Sequence, residues 1–353
     1  MTYKFPLILL VATIGFTSCI TTYNINSIQV EILKPAILAM PDYIDTIAIF
    51  KRDHYQSDTT EFTYLNVETN KIISDKNIRY SDLSNKCTAA LAEYLDNEGY
   101  FSKVIHYSDS LNHIFSKTDS LITYPELHKK LGVDMFIFLD FFQLEDELTE
   151  NIGGFFKPFI VNQFPEFKNS SKIESVAANL LWSVTFKEDT ALYLIRQPDY
   201  LHYGNSVTPE LFGNHQKHLL LLQNISGYLG TNFASRIIPS WIKVGRAYYR
   251  SNNVDMLQAE KYFLEGEFLK AAEIYNRETK NKNRNIAAKA RYNMALICEM
   301  EGKPDAAIDW LVLSYSAYKN PNAEHKFNCQ QYINILALRK KEIERLDKQV
   351  RVK

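Results

Sequence analysis

Two histidines, His215 and His218, stand three residues apart where a leucine-rich helix begins. That spacing puts two imidazoles on one helical face, where they can share a metal ion. No third ligand accompanies them in the local sequence, and the plainer reading is a polar helix start. Asp53-His54 follows a strand; it has the make-up of an acid–base pair and equally of a polar loop start. Glu145-Asp146-Glu147 comes after the apolar run Met135–Leu144 and reads as a solvated charge run. An enzyme would need the fold to bring His54, His215 and His218 into one pocket. The chain carries no glycine-rich phosphate loop, no nucleophile elbow and no supported Cys/His pair. The expectation is a non-enzymatic protein with no catalytic residues, metal or cofactor.

Of the four cysteines, Cys19 ends the apolar run Phe5–Phe16 and its small-residue tail Thr17-Ser18. The run is twelve residues long, short of the roughly 20 that span a bilayer. With Lys4 ahead of it, it has the layout of a secretory leader. The segment resembles the bacterial lipoprotein signal, in which the leader is cut before a cysteine that is then acylated. The resemblance implies a signal peptide over 1–18, lipidation of Cys19 (palmitate among its acyl chains) and a tether over 19–27. Phe16 stands where that signal most often has Leu. Ile20, rather than Asp, follows the cysteine, which implies the outer membrane and a lipid-anchored, periplasm-facing protein. Cys87, Cys298 and Cys329 remain, an odd number that rules out a complete disulfide framework. They read as buried small apolar residues, with a Cys298–Cys329 disulfide as the alternative.

Removing residues 1–18 takes away only Lys4 among charged residues, leaving 39 basic against 41 acidic, a formal −2. A basic excess is what nucleic-acid binding requires, so that partner class is excluded. The apolar fraction of 46% suffices for real cores, and 353 residues suggest two domains or one large one.

Alternating apolar positions predict a strand from Ile28. The stretch 45–52, apolar on both faces, predicts a central buried one. A helix is predicted to run from about Ser81 to Glu98 and to stop at Gly99; a second, over Tyr124–Leu131, has Pro125 in its first turn and Gly132 at its end. Strands are predicted at 101–107 and 135–144, a hairpin around 187–190, and a helix over 216–237. "DTIAIFKRD", "YFSKVIHY" and "ELHKKLGVDMFIFLDFFQL" together resemble the amino-terminal domain of the translocation protein TolB and the periplasmic domain of curli secretion lipoproteins. That resemblance implies an α/β layer over 28–240 that serves assembly and interaction, with no catalytic residues.

From 241 to 353 the pattern changes. Ala259, Gly266, Ala271 and Tyr275 recur as Ala295, Gly302, Ala307 and Leu311, a constant offset of 36. Helix, glycine turn and helix with small residues at the crossings resemble tetratricopeptide repeats, of usual period about 34; a long helix from about Asn322 to Val350 would cap them. The fold class expected is thus α+β: a mixed sheet with packed helices, then an all-α hairpin array. On the inner helix of the second repeat the alignment places Lys289, Tyr292, Asn293, Leu296 and Glu299 as partner-binding residues. Lys289 and Asn293 match the Lys-x-x-x-Asn by which some such repeats clamp a peptide carboxylate. Trp241, Val244, Tyr248 and Tyr249 read as residues joining the two parts. A second candidate surface is GGFFKPFIVNQFPEF (153–167), with Phe155, Phe156 and Phe159 as an apolar patch if exposed. The partner expected is an envelope protein; the alternative is a small ligand, peptide or glycan.

Overall fold

The computed structural model describes residues 25–52, 61–67, 69–108, 123–149, 166, 168–211, 215–318, 320 and 324–349. Cys19, Asp53, His54, Phe155, Phe156 and Phe159 lie outside the described residues, as does the side chain of His215. The fold is α+β, a mixed sheet with packed helices and a carboxy-terminal helical array. The chain divides into an α/β unit, Leu33–Trp241 with Glu342–Lys353, and a helical unit, residues to Ile32 with Ile242–Lys341.

The α/β unit is organised by β6 (Met135–Thr149). One edge of β6 pairs along its length with β7 (Ile173–Phe186), which forms an antiparallel hairpin with β8 (Asp189–Gly204). The other edge pairs in parallel with β2 (Thr46–Lys51) over Met135–Leu139, then with β3 (Glu61–Asn66) over Asp146–Leu148. β5 (Lys103–Tyr107) lies parallel outside β2, and β4 (Lys71–Arg79) antiparallel outside β3. The β3–β4 hairpin was not expected from the sequence. Its outer strand leaves Ile72 75% exposed, so the apolar alternation that marks a half-buried strand is missing.

Side-chain parity sorts the sheet's two faces. Ile47, Ile49, Met135, Ile137 and Leu139 enter the large core, while Ala48, Phe50, Phe136 and Phe138 enter a smaller one on the opposite face. The large core lies under α1 (Tyr80–Glu98) and α3 (His215–Ala234), the smaller beside α2 (Tyr124–Leu131). Gly99 and Gly132 end α1 and α2 at φ of 60° and 63°, a region costly to other residues. Thr123 and Glu126 close a capping box at the start of α2. α1 and α3 cross at Gly230, where a Cβ would sit 2.0 Å from the Cys87 carbonyl oxygen. Trp182, fully buried and stacked on Phe233, donates its indole N–H to Gln197, which donates to the Leu229 carbonyl. The core thus has no orphan polar group at that point.

β6 breaks its own alternation once. Leu139 pairs with Trp182 and Phe141 with Leu181, so Asp140 is an extra residue, a β-bulge. Before the bulge the odd-numbered residues face the large core; after it Phe142 and Leu144 do. Asp140 itself turns to Arg52, whose Nε donates to its carboxylate at 2.6 Å.

In the helical unit, α4 (Val254–Leu264) with α5 (Phe268–Glu278) and α6 (Arg284–Met300) with α7 (Pro304–Ala317) form two helical hairpins. Gly266 and Gly302, 36 residues apart, take φ of 79° and 73° at the two turns. α8 (Glu324–Gln349) follows. Two strands, β1 (Ile25–Lys34) and β9 (Ser240–Tyr249), pair as a separate sheet. Asn26 reaches Tyr248 and Lys243 lies by Glu31, so they run antiparallel. This changes two expectations. The first strand, placed by sequence in the α/β domain, groups with the helices, and the stretch taken as a joining segment is itself a strand. Tyr248 and Tyr249 are buried within the helical core, whereas Trp241 is exposed. Cys87, Cys298 and Cys329 are buried free thiols, so the Cys298–Cys329 disulfide is absent.

Candidate functional site

In the α/β unit the bulge at Asp140 sets Asp146 on the helix-covered parity of Phe142 and Leu144, so it is buried. The charge run 145–147 is therefore not uniformly solvated: its middle member turns inward. Glu174 lies on β7 with the parity of Val176, Ala178 and Leu180, and is also buried. Asp146 is paired with Val176 and flanked by Tyr64 of β3, so Glu174 is its diagonal neighbour on the same face. α3 delivers His218 onto both. Its Nε2 is 2.8 Å from Asp146 Oδ2 and 3.0 Å from Glu174 Oε1. The one Nε2–H lies between the two carboxylates, and Asp146 Oδ1 is left buried with no hydrogen bond among the described residues. The rings of Phe62 and Tyr64 stand edge-on to the imidazole at 6.0 and 4.9 Å.

The electrostatics follow from crowding two acids and one base away from water. Burial pushes the Glu174 carboxyl up to about 7, with His218 opposing and Asp146 reinforcing. Burial works against the His218 imidazolium, but its hydrogen bonds and charge attraction to Asp146 and Glu174 win, raising it to about 10. All three donor atoms lie within 4.8 Å of one another. One imidazole nitrogen and two carboxylates form a donor set that can hold a proton or a divalent cation.

The sequence reading had singled out His218 but found it no third ligand. The two ligand-type neighbours come from β6 and β7, 72 and 44 positions away in the chain. A signal for Glu174 existed, since it stands at the buried parity of an apolar strand. For Asp146 the bulge hid it.

The helical unit treats its predicted residues differently. Tyr292, Asn293, Leu296 and Glu299 are buried, not presented to a partner. Asn293 accepts from the Tyr249 N–H and donates to the Tyr249 C=O, both at 2.7 Å. The residue read as half of a carboxylate clamp thus grips the protein's own β9. Lys289 sits over the Tyr249 ring at 5.7 Å, and burial lowers its ammonium pKa. Glu299 takes a two-pronged bond from Arg246, Nε to Oε2 at 2.8 Å and Nη2 to Oε1 at 2.7 Å, and a third from the Tyr332 hydroxyl. A Ser314–His325–Cys329 cluster is buried nearby. Burial raises the Cys329 thiol to about 11 and lowers His325 to about 4, the reverse of the shifts that form a thiolate–imidazolium pair.

Beside β9 a cavity of about 360 Å³ opens. Its walls include Gly245 and Ala247 of β9, Tyr292 of α6, and Asn328, Gln331 and Tyr332 of α8. Tyr249 turns its N–H and C=O to Asn293, away from β1. Strand periodicity sends those of Ala247 and Gly245 the same way, and the Gly245 C=O accepts from Arg246 Nη1 at 3.2 Å. Among the described residues no helix is long and apolar enough to cross a membrane.

No curated protein matches the chain. One solved structure, described as "Crystal structure of uncharacterized protein", aligns at 10% identity over 57% of this chain and 95% of its own, with a TM-score of 0.27. That likeness is too distant to carry fold or role. Residues 257–338, within the helical array, match the family described as Domain of unknown function (DUF6340). Residues 44–249, more than half of the chain, match Domain of unknown function (DUF8603), and the protein belongs to that family.

Proposed function

We propose that the protein is a non-enzymatic, lipid-anchored module of the bacterial outer membrane, probing the periplasm and taking an extended segment of another envelope protein into the groove beside β9. Cys19 is the acylated residue in this reading, and the hairpins of the helical unit are tetratricopeptide repeats. The observation that carries it is the edge of β9, where Gly245 and Ala247 line a cavity that α8 borders with Asn328 and Gln331. A strand edge beside a groove is the surface that peptides join by β-augmentation, and here an incoming strand would replace the Arg246 side chain on the Gly245 carbonyl. The near-neutral charge favours a polypeptide over nucleic acid.

The test places a photo-cross-linking residue at Gln331 in the anchored chain in cells, with the exposed Leu194 as control position. One envelope protein, joined through one short segment and only from Gln331, is expected. A synthetic peptide of that segment then binds the purified chain, and N-methylation of its alternate backbone amides abolishes binding. Equal products from both positions, or undiminished binding of the N-methylated peptide, overturns the reading. The cavity volume also falls within the range of small-ligand pockets, about 300–1,000 Å³. A glycan fragment that raises the melting temperature, with no peptide captured, would favour that second reading.

A further inference from the structure

We propose that Asp146, Glu174 and His218 form a mononuclear site for a divalent transition ion of the zinc type. Three elements supply one donor each: β6 the Asp146 carboxylate, β7 the Glu174 carboxylate and α3 the His218 Nε2. Two observations point to a ligand. The first is the convergence, with donors 2.8 and 3.0 Å apart. Around a tetrahedral zinc, donors about 2.1 Å from the metal are separated by roughly 3.4 Å. Opening the cluster by about half an ångström therefore seats the ion where the Nε2 proton now lies.

The second is a leftover oxygen. A single N–H stands against two carboxylates, and Asp146 Oδ1, inside the core, has no hydrogen bond among the described residues. An unpaired buried oxygen is costly, and a cation would offset it together with the crowding of the two carboxylates. An imidazole with two carboxylates selects a zinc-type ion over magnesium or calcium, which take six or more oxygen donors. The rings of Phe62 and Tyr64 wall the site. His218 keeps 15% of its side chain exposed, which leaves an approach and a fourth position for water.

The full-length chain, stripped by a chelator, is titrated with Co²⁺ and then Zn²⁺. The expected result is one equivalent of Co²⁺ with the strong visible bands of four-coordination, displacement by Zn²⁺, and a raised melting temperature. Glu174→Gln is expected to weaken binding at least about 100-fold, since loss of outer-shell partners alone costs 10–100-fold. Its metal-free melting temperature is expected to be no lower than that of the unmodified chain, which separates lost binding from lost folding. X-ray absorption of the zinc-loaded chain tests the site without any variant: one imidazole nitrogen and oxygen donors are expected. A folded chain that takes up no Co²⁺, a Glu174→Gln variant that binds equally well, or a shell containing sulfur overturns the proposal.

Discussion

The two units bury charge in opposite ways. In the helical unit Arg246 faces Glu299 in a two-pronged pair completed by the Tyr332 hydroxyl. One positive charge meets one negative, and each carboxylate oxygen has a donor. In the α/β unit two carboxylates share one imidazole, and Asp146 Oδ1 has no donor among the described residues. A matched pair holds structure together. An unmatched cluster keeps capacity for something else, and that difference, rather than burial or residue type, separates scaffold from candidate site.

The comparison can be broken first at its matched end. Glu299→Ala strands a buried guanidinium and is expected to cost about 3–5 kcal/mol in urea unfolding. Replacing Arg246 and Glu299 together by apolar residues of similar volume is expected to recover most of that loss. If the single change costs under about 1 kcal/mol, the pair is not structural and the contrast fails.

The next effect is a pH dependence inside the helical unit. His325 is buried against Ser314, Cys329 and the Tyr318 ring, with the Lys289 and Lys326 ammoniums adding repulsion. Burial holds its imidazole neutral down to about pH 4, against 6.5 for an exposed one. Between those values the unfolded chain binds the extra proton, so this stability is complete above about pH 6.5 and is lost as the pH falls to about 4. The full loss is on the order of 3 kcal/mol. Denaturant midpoints between pH 7 and pH 4 measure it, and His325→Gln is expected to flatten the curve over that window.

The smallest effect sharpens the unmatched end. In metal-free protein Glu174→Gln removes one of two crowded carboxylates, and is expected to leave stability within about 1 kcal/mol or raise it. A loss of 3 kcal/mol or more by the same urea titration would mean that Glu174 is as structural as Glu299.

Much of this fold was legible where the signal is local. β2 shows an apolar run on both faces, α1 and α2 end on Gly99 and Gly132, and the helical hairpins repeat their glycines and alanines. What was not legible depends on partners far along the chain. β1 finds β9 more than 200 residues away, and nothing near Ile28 announces it. The β3–β4 hairpin is mostly solvated and lacks a period. Of the candidate site only His218 was visible. Glu174 looked like one charge in a strand, and Asp146 was hidden among its flanking glutamates. The inner-helix residues Tyr292, Asn293 and Glu299 were correctly placed on one helix, but sequence gave no sign that β9 already lies against them.

The bulge at Asp140 has a genetic consequence. With Asp140 set aside, Leu139 and Phe141 follow each other on Trp182 and Leu181 as they would in an unbroken strand. An in-frame deletion of this one codon would therefore turn β6 regular and leave the facing of Phe142, Leu144 and Asp146 as it is. What it would remove is the carboxylate that Arg52 grips. The extra residue is thus a reserve of length: the cluster at Asp146 survives its loss, and the Arg52 contact does not.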